Sequence, residues 1–85
     1  MEQLIKALAE KKVLHGFREV RRALVAGNLQ KIYIVTNCLS KYKIELKNLA
    51  KLADVEIVEL PINAEQLSSQ LKLGFKPTVL GIIKT

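Results

Sequence analysis

Residues 31–36, KIYIVT, constrain the fold of this chain more than any other segment. Their side chains are apolar on both sides of the alternation that a β-strand imposes. A strand with this pattern is typical of a central position in a sheet that is covered above and below. The segment therefore predicts a sheet enclosed between two layers.

Helical and extended patterns alternate along the rest of the chain. Leu4, Ile5 and Leu8 recur at helical spacing, and Asn63 with Gln66 forms a predicted capping box. The predicted helices are residues 2–11, a basic helix from Gly16 to the left-handed stop at Gly27-Asn28, a helix from the N-cap Ser40 to about Ala53, and a helix from Asn63 that ends at or before Gly74. The predicted strands are residues 13–14, 31–36, 55–60 and 78–83.

Alternating helices and strands with short connections favour an α/β fold. We expect a three-layer α/β/α sandwich around a four-stranded mixed sheet, with residues 1–85 forming a single domain. The strand at residues 55–60 carries Glu56 and Glu59, so it should be less buried than the central strand. Gly81 lies inside the last strand, which indicates that another group approaches the backbone closely there.

The charge of the chain narrows the class of partner. Fourteen Lys and Arg against eight Asp and Glu give a formal charge of +6, which favours association with nucleic acid or with an anionic membrane surface. No apolar run approaches the ~18 residues that a membrane span needs, so we expect no membrane insertion, and nucleic acid rather than a membrane is the expected partner. A single cysteine, Cys38, cannot form an intramolecular disulfide, and we expect a cytoplasmic protein.

Few residues in the chain suit catalysis. The chain has one His, one Cys and one Asp, which form neither a recognisable catalytic triad nor a set of metal ligands. Cys38 and His15 could be written as a thiol–imidazole pair, but a free cysteine at a strand end is more often a small packing residue. We therefore expect no enzymatic activity, no cofactor and no metal.

The helix within residues 15–28, HGFREVRRALVAGN, combines a buried stripe with clustered arginines. Phe17, Val20 and Leu24 fall on one side at helical spacing, while arginines cover an arc rotated away from it. The arginines are Arg18, Arg21 and Arg22. Each planar guanidinium can donate two parallel hydrogen bonds to a phosphate or a base edge, although such a face can also be merely solvated.

Three segments together resemble a known family. They are Gly16-Phe17-Arg18-Glu19-x-x-Arg22, the strand end Ile34-Val35-Thr36-Asn37-Cys38, and Leu73-Gly74-Phe75-Lys76-Pro77 before the last strand. In order and spacing they are similar to the small RNA-binding ribosomal proteins called L-seven-A-e and L-thirty-e. The resemblance implies a single RNA-binding domain that recognises kink-turns or related internal loops. It also implies a ribosomal protein that acts in translation, or a subunit of another ribonucleoprotein, with other subunits as neighbours.

The resemblance also implies roles for residues on the basic helix. Gly16 would let the backbone approach RNA, Arg18 and Glu19 would contact exposed purine edges, and Arg22 would hold a phosphate or a guanine edge. Phe17 and Arg21 complete the predicted RNA face of this helix. For Glu19, an ion pair within the helix is an equally good interpretation.

Two loops complete the predicted site. Asn37 could read a base, or it could serve the turn and the entry to a helix. Leu73, Gly74, Phe75 and Lys76 lie in a loop that, by resemblance, packs against a splayed nucleotide. Phe75 could stack on an unpaired base or belong to the core, and His15 is expected to be structural.

The sequence departs from the family pattern at two places. Residues 67–72, LSSQLK, lack both glycines usual on the fourth helix, and Arg18 stands where an asparagine is most associated with purine recognition. The chain is therefore interpreted first as a non-catalytic RNA-binding protein of the ribosome or another ribonucleoprotein. The alternative is a protein-interaction module of the same fold without specific RNA recognition.

Overall fold

The computed structural model describes residues 2–84. Four helices alternate with four strands along the chain, as the sequence pattern predicts. The elements are α1 (Glu2–Ala9), β1 (Val13–His15), α2 (Phe17–Val25), β2 (Leu29–Ile34), α3 (Ser40–Ala53), β3 (Glu56–Glu59), α4 (Ala64–Leu71) and β4 (Val79–Ile83).

The four strands form one mixed sheet in the order β1-β4-β2-β3. β2 pairs with β3 in parallel and with β4 in antiparallel, while β1 pairs with β4 in antiparallel. The predicted central strand is confirmed, because β2 has a neighbour on each side. β3 lies at an edge, and its residues are exposed or only half-buried, as its glutamates indicate.

Two apolar cores, one on each face of the sheet, establish the predicted three-layer α/β/α sandwich. Ile32 and Ile34 of β2 face a core shared with α2 and α3. Tyr33 and Val35 face the opposite core, shared with α1 and α4. Successive side chains of a strand point to opposite faces, so β2 contributes to both cores at once.

The ends of three helices test the predicted caps. Asn63 caps α4 as expected, since its side chain accepts from the backbone N–H of Gln66 at 2.8 Å and the Gln66 side chain accepts from Asn63 N–H at 2.9 Å. Gly27 follows α2 with φ of 77°, which confirms the left-handed stop. The prediction of Ser40 as N-cap is wrong, because Ser40 is the first residue of α3 and the extended Leu39 precedes it.

The fourth helix ends before Gly74, as the sequence predicts. α4 stops at Leu71, and Lys72 takes the left-handed conformation with φ of 55°. The backbone N–H groups of Lys72 and Leu73 both donate to the carbonyl of Ser68, which closes the helix without glycine. The loop before β4 therefore begins at Lys72, two residues ahead of Gly74.

Gly81 is a point of close packing inside the sheet, as the sequence predicts. A Cβ atom at this position would lie 3.0 Å from Cδ2 of Leu29 and 3.4 Å from Cγ2 of Val20. Both neighbours belong to the core beneath α2, and both are fully buried. A larger side chain can be accommodated only if this core shifts.

Replacement of Gly81 by valine should therefore destabilise the fold. We expect Gly81→Val to lower the free energy of unfolding by about 1–3 kcal/mol, through overpacking against Leu29. Urea unfolding followed by circular dichroism measures the effect. Gly74→Ala is the control, because no atom lies within 4 Å of the added Cβ, and it should change stability by less than about 0.5 kcal/mol. Equal midpoints for the two variants would contradict the packing described here.

Candidate nucleic-acid interface

The three segments that carry the family resemblance meet at one end of the sheet. The backbone N–H of Gly16 donates to the carbonyl of Val79 at 3.0 Å, and Val35 N–H donates to the carbonyl of Thr78 at 3.2 Å. The start of α2, the loop after β2 and the loop before β4 are thereby fixed side by side. We call this surface, formed by residues 15–22, 35–39 and 72–78, the loop edge.

Gly16 opens the basic helix with a conformation that side chains rarely adopt. Its φ is +90°, and its carbonyl accepts from Val20 N–H at 3.1 Å in the first turn of α2. No atom lies within 4 Å of the position that a Cβ would take. The glycine is therefore required by its φ angle, and the space in front of its backbone is open to a ligand.

The three arginines of α2 differ in their partners. Arg21 forms an ion pair with Glu45 of α3. Arg22 lies 3.8 Å from Glu19 one turn earlier, so the helix ion pair expected as an alternative for Glu19 is present. Arg18 forms no salt bridge within residues 2–84, and its side chain is exposed. Arg18 is therefore the arginine most available to an external anion.

Phe17 connects α2 to α3. Its ring stacks on Tyr42 with centroids 4.1 Å apart and an angle of 18° between the planes. Both rings are half-buried against the core beneath these helices, so the predicted burial of Phe17 is confirmed. Outside this aromatic pair, α2 and Glu45 line an open groove of about 650 Å³, with Arg18, Arg21, Arg22 and Val25 on its α2 side.

Asn37 ties the loop after β2 to the fourth helix. Its Oδ1 accepts a hydrogen bond from the backbone N–H of Ala64 at 3.0 Å. Ala64 is the first residue of α4, and its N–H has no partner within the helix. Of the two roles that the sequence leaves open for Asn37, the structure shows the one at the entry to a helix. The N–H groups of the Asn37 side-chain amide take no part in this hydrogen bond.

Phe75 lies on the surface of the loop edge. It is 39% exposed and belongs to neither apolar core. Its ring packs on the imidazole of His15, with centroids 4.2 Å apart and an angle of 32° between the planes. The interpretation of Phe75 as a core residue is therefore wrong. Its aromatic ring is exposed beside the start of α2.

The remaining residues of this loop are held from behind. The Ser68 hydroxyl donates to the carbonyl of Leu73 at 3.1 Å, and Pro77 is buried. Leu73 is half-buried, while Gly74 and Lys76 are exposed next to Phe75. The predicted site residues thus lie in three settings: the arginines line the groove between α2 and α3, Asn37 is bonded to α4, and Phe75 packs on His15. The sequence predicts no contact role for His15 or for Ser68. The signal that could have indicated one for His15 is that an aromatic residue directly precedes Gly16.

The positive charges of the chain are unevenly neutralised. Lys43 and Lys47 lie 3.5 Å and 3.2 Å from Glu59, and Lys31 lies 3.5 Å from Glu56. The hydrogen bond from Lys47, with the charges of Lys47 and Lys43, holds the pKa of Glu59 below its usual range. These lysines along β3 have carboxylate partners. At the loop edge, Lys76 like Arg18 forms no ion pair with any described residue.

Cys38 is a packing residue in the core beneath α2 and α3. Burial raises the pKa of its thiol, against the opposing charge of Lys43. A thiol whose pKa is raised is less of a thiolate near neutral pH and so a poorer nucleophile. Between Glu2 and Lys84, no group of three or more His, Cys, Asp or Glu side chains could hold a metal ion, and no helix is long and apolar enough to cross a membrane.

Comparison with known proteins supports the fold. No protein-family model and no curated protein matches this sequence. A 15.5 kDa RNA-binding protein from Giardia lamblia superposes with a TM-score of 0.80 at 14% identity, over 95% of this chain and 68% of its own. A Bacillus halodurans protein of unknown function superposes with a TM-score of 0.79 at 14% identity, over 93% of this chain and 78% of its own. These likenesses show a shared α/β fold.

The capping role of Asn37 can be tested by its removal. Asn37→Ala leaves the first N–H of α4 without its side-chain acceptor, so we expect the free energy of unfolding to fall by about 0.5–2 kcal/mol. Asn48→Ala is the matched control, because Asn48 is exposed on α3 and alanine favours a helix. Urea unfolding compares the two. A loss of stability no larger than that of Asn48→Ala would show that the Asn37 hydrogen bond contributes nothing.

Proposed function

We propose that this protein is a non-catalytic RNA-binding protein that recognises a kink-turn or a similar internal loop. The observation that carries the proposal is the meeting of Gly16, Arg18 and Phe75 at one end of the sheet. An open backbone, an unpaired guanidinium and an exposed aromatic ring are the groups that irregular RNA can engage. The family resemblance of the same three segments supports the kink-turn as the class of RNA.

Binding has a component that does not depend on sequence. The chain carries a formal charge of +6, and Arg18 and Lys76 at the loop edge lack carboxylate partners among the residues that the structure describes. Lysine and arginine that neutralise phosphates release condensed counterions, which favours association at low salt. This component brings RNA to the surface without selecting its shape.

Selection depends on groups that duplex RNA cannot satisfy. Bases in a regular A-form helix are stacked and their major-groove edges are out of reach, whereas internal loops expose purine edges and unstacked bases. Arg18 and Arg22 can donate to such edges, the carboxylate of Glu19 can accept from a base amino group, and Phe75 can stack. The surface ion pair between Glu19 and Arg22 is worth about 0–1 kcal/mol, so it can yield to these contacts.

The cellular role proposed here is that of a ribosomal protein or a subunit of another ribonucleoprotein, in the cytoplasm. Structured RNA, including ribosomal RNA, is the proposed partner, with neighbouring subunits around it. The RNA-binding protein of Giardia lamblia, which has a similar fold, supports RNA as the ligand class. No cofactor, metal or catalytic step is part of the proposal.

A protein-interaction module is the second candidate, because one observation favours it. Val25 and Leu52 are 66% and 86% exposed and lie together with Leu49 at the far end of the α2–α3 groove. An exposed apolar patch is a common feature of protein interfaces. In a ribonucleoprotein the same patch could contact a neighbouring subunit while the loop edge binds RNA.

Discrimination between RNA shapes tests the leading proposal. We expect the protein to bind a kink-turn RNA at least about tenfold more tightly than a plain duplex of equal length, because only the kink-turn exposes base edges. Gel-shift titrations at several salt concentrations measure both affinities, which should fall as salt rises. Equal affinity for the two RNAs would mean non-specific polyanion binding and would overturn the proposal.

The contribution of Arg18 can be isolated with a charge-matched control. We expect Arg18→Ala to weaken kink-turn binding by about 1–3 kcal/mol, the range of a bidentate contact, and Arg22→Ala to act within the same range. Lys6→Ala removes the same charge from α1, where Lys6 lines a pocket with Gln30 and Ile83 at the opposite end of the sheet. Its effect should be several-fold smaller. An Arg18 variant that binds as tightly as the Lys6 variant would remove Arg18 from the site.

A further inference from the structure

His15 and Phe75 form an aromatic pair at the loop edge. His15 is the last residue of β1, and Phe75 lies in the loop between α4 and β4, sixty positions later in the chain. Their ring centroids are 4.2 Å apart, and both side chains are exposed. The imidazole packs on one side of the Phe75 ring at an angle of 32°, and Phe75 is 39% exposed, so part of its surface is accessible to a further ring.

The backbone on both sides of the pair is fixed. His15 stands opposite Leu80 in the antiparallel pairing of β1 with β4, and the next residue, Gly16, donates its N–H to Val79. On the other side, the Ser68 hydroxyl holds the carbonyl of Leu73 at 3.1 Å. The ring of Phe75 is a member of neither apolar core, and its contact with His15 is an aromatic contact that can orient it.

The second aromatic pair of the molecule serves a different purpose. Phe17 and Tyr42 are half-buried and pack against the core beneath α2 and α3, which anchors one helix on the other. His15 and Phe75 join no core, and each is exposed. An exposed stack that contributes nothing to the core is suited to a ligand with an aromatic face of its own.

We propose that His15 is a positioning residue for RNA, holding the Phe75 ring so that its outer face stacks on an unpaired base. This inference rests on the proposed function and assigns a role to a residue that the sequence treats as structural. A phenylalanine on a loop loses side-chain freedom when a base stacks on it. His15 restricts that freedom before RNA arrives, and binding is tighter because less ordering is left to occur.

The experiment compares four variants on two RNAs. The RNAs are a kink-turn with one unpaired nucleotide and the same molecule with an abasic residue at that nucleotide. The variants are His15→Ala, His15→Phe, Phe75→Ala and the double alanine variant, each with its thermal unfolding midpoint recorded to confirm that it folds. Stacking is followed separately with 2-aminopurine at the unpaired position, whose fluorescence is quenched when it stacks on a ring.

We expect His15→Ala to weaken binding of the complete RNA by about 3–10-fold and to reduce the quenching of 2-aminopurine. The same variant should change binding of the abasic RNA by less than twofold. His15→Phe should retain both affinity and quenching, because it keeps an aromatic ring behind Phe75. The double variant should bind no more weakly than Phe75→Ala, since His15 acts through Phe75.

Three outcomes would overturn the role of His15: unchanged affinity in His15→Ala, an equal loss on the abasic RNA, or a loss in the double variant that is the full product of the single losses. Failure of the proposed function is distinguishable from these. If the unaltered protein binds kink-turn and duplex RNA equally, the function itself fails; if it discriminates between them and His15→Ala does not differ from it, only the inference on His15 fails.

Discussion

The pairing of β1 with β4 is the constraint on which the loop edge depends. β1 has only three residues, yet its register sets His15 opposite Leu80 and brings Gly16 N–H to the carbonyl of Val79. A slip of one residue would move the His15 side chain to the other face of the sheet, away from Phe75. The start of the basic helix and the aromatic loop are therefore neighbours because a short edge strand has a single register.

That register is protected by the packing of the centre of the sheet. β4 lies between β1 and β2, and Gly81 leaves room there for the buried side chains of Leu29 and Val20. Alternate side chains of β2 and β4 fill two cores, so a shift of either strand by one residue would exchange side chains between the cores and disturb the packing of both. The site lies on loops. These loops are held in place because the sheet that carries them has a fixed register.

The sequence predicted those parts of the molecule that depend on local pattern. The central strand, the two-sided burial, the glycine stop at Gly27 and the capping box at Asn63 each follow from neighbours within a few residues. The residue at which α4 ends is less apparent from the sequence, because Lys72 takes a left-handed conformation that usually selects glycine, and the hydrogen bonds of Ser68 that close the helix leave no mark on composition.

Contacts between distant segments account for the rest. The hydrogen bond between Asn37 and Ala64 spans 27 positions, and the ring contact between His15 and Phe75 spans sixty. Neither leaves a periodic signal, because each depends on the order of strands in the sheet. The sequence therefore leaves the roles of Asn37 and Phe75 open, and it predicts only a structural role for His15.

Neither the fold nor the net charge selects a ligand by itself. Structures at 14% identity share the sandwich with this chain, so the sandwich by itself does not select a ligand. Within residues 2–84, five of the fourteen basic side chains pair with a carboxylate, among them Lys43 and Lys47 with Glu59. Arg18 has no such partner within residues 2–84, and it lies two positions after Gly16 and three after His15, which packs on the exposed ring of Phe75. An anion bound at this place would meet the guanidinium of Arg18 next to an aromatic ring. A flexible nucleic acid with an unstacked base offers a partner to each, because its phosphate can accept from the guanidinium and its base can stack on the ring.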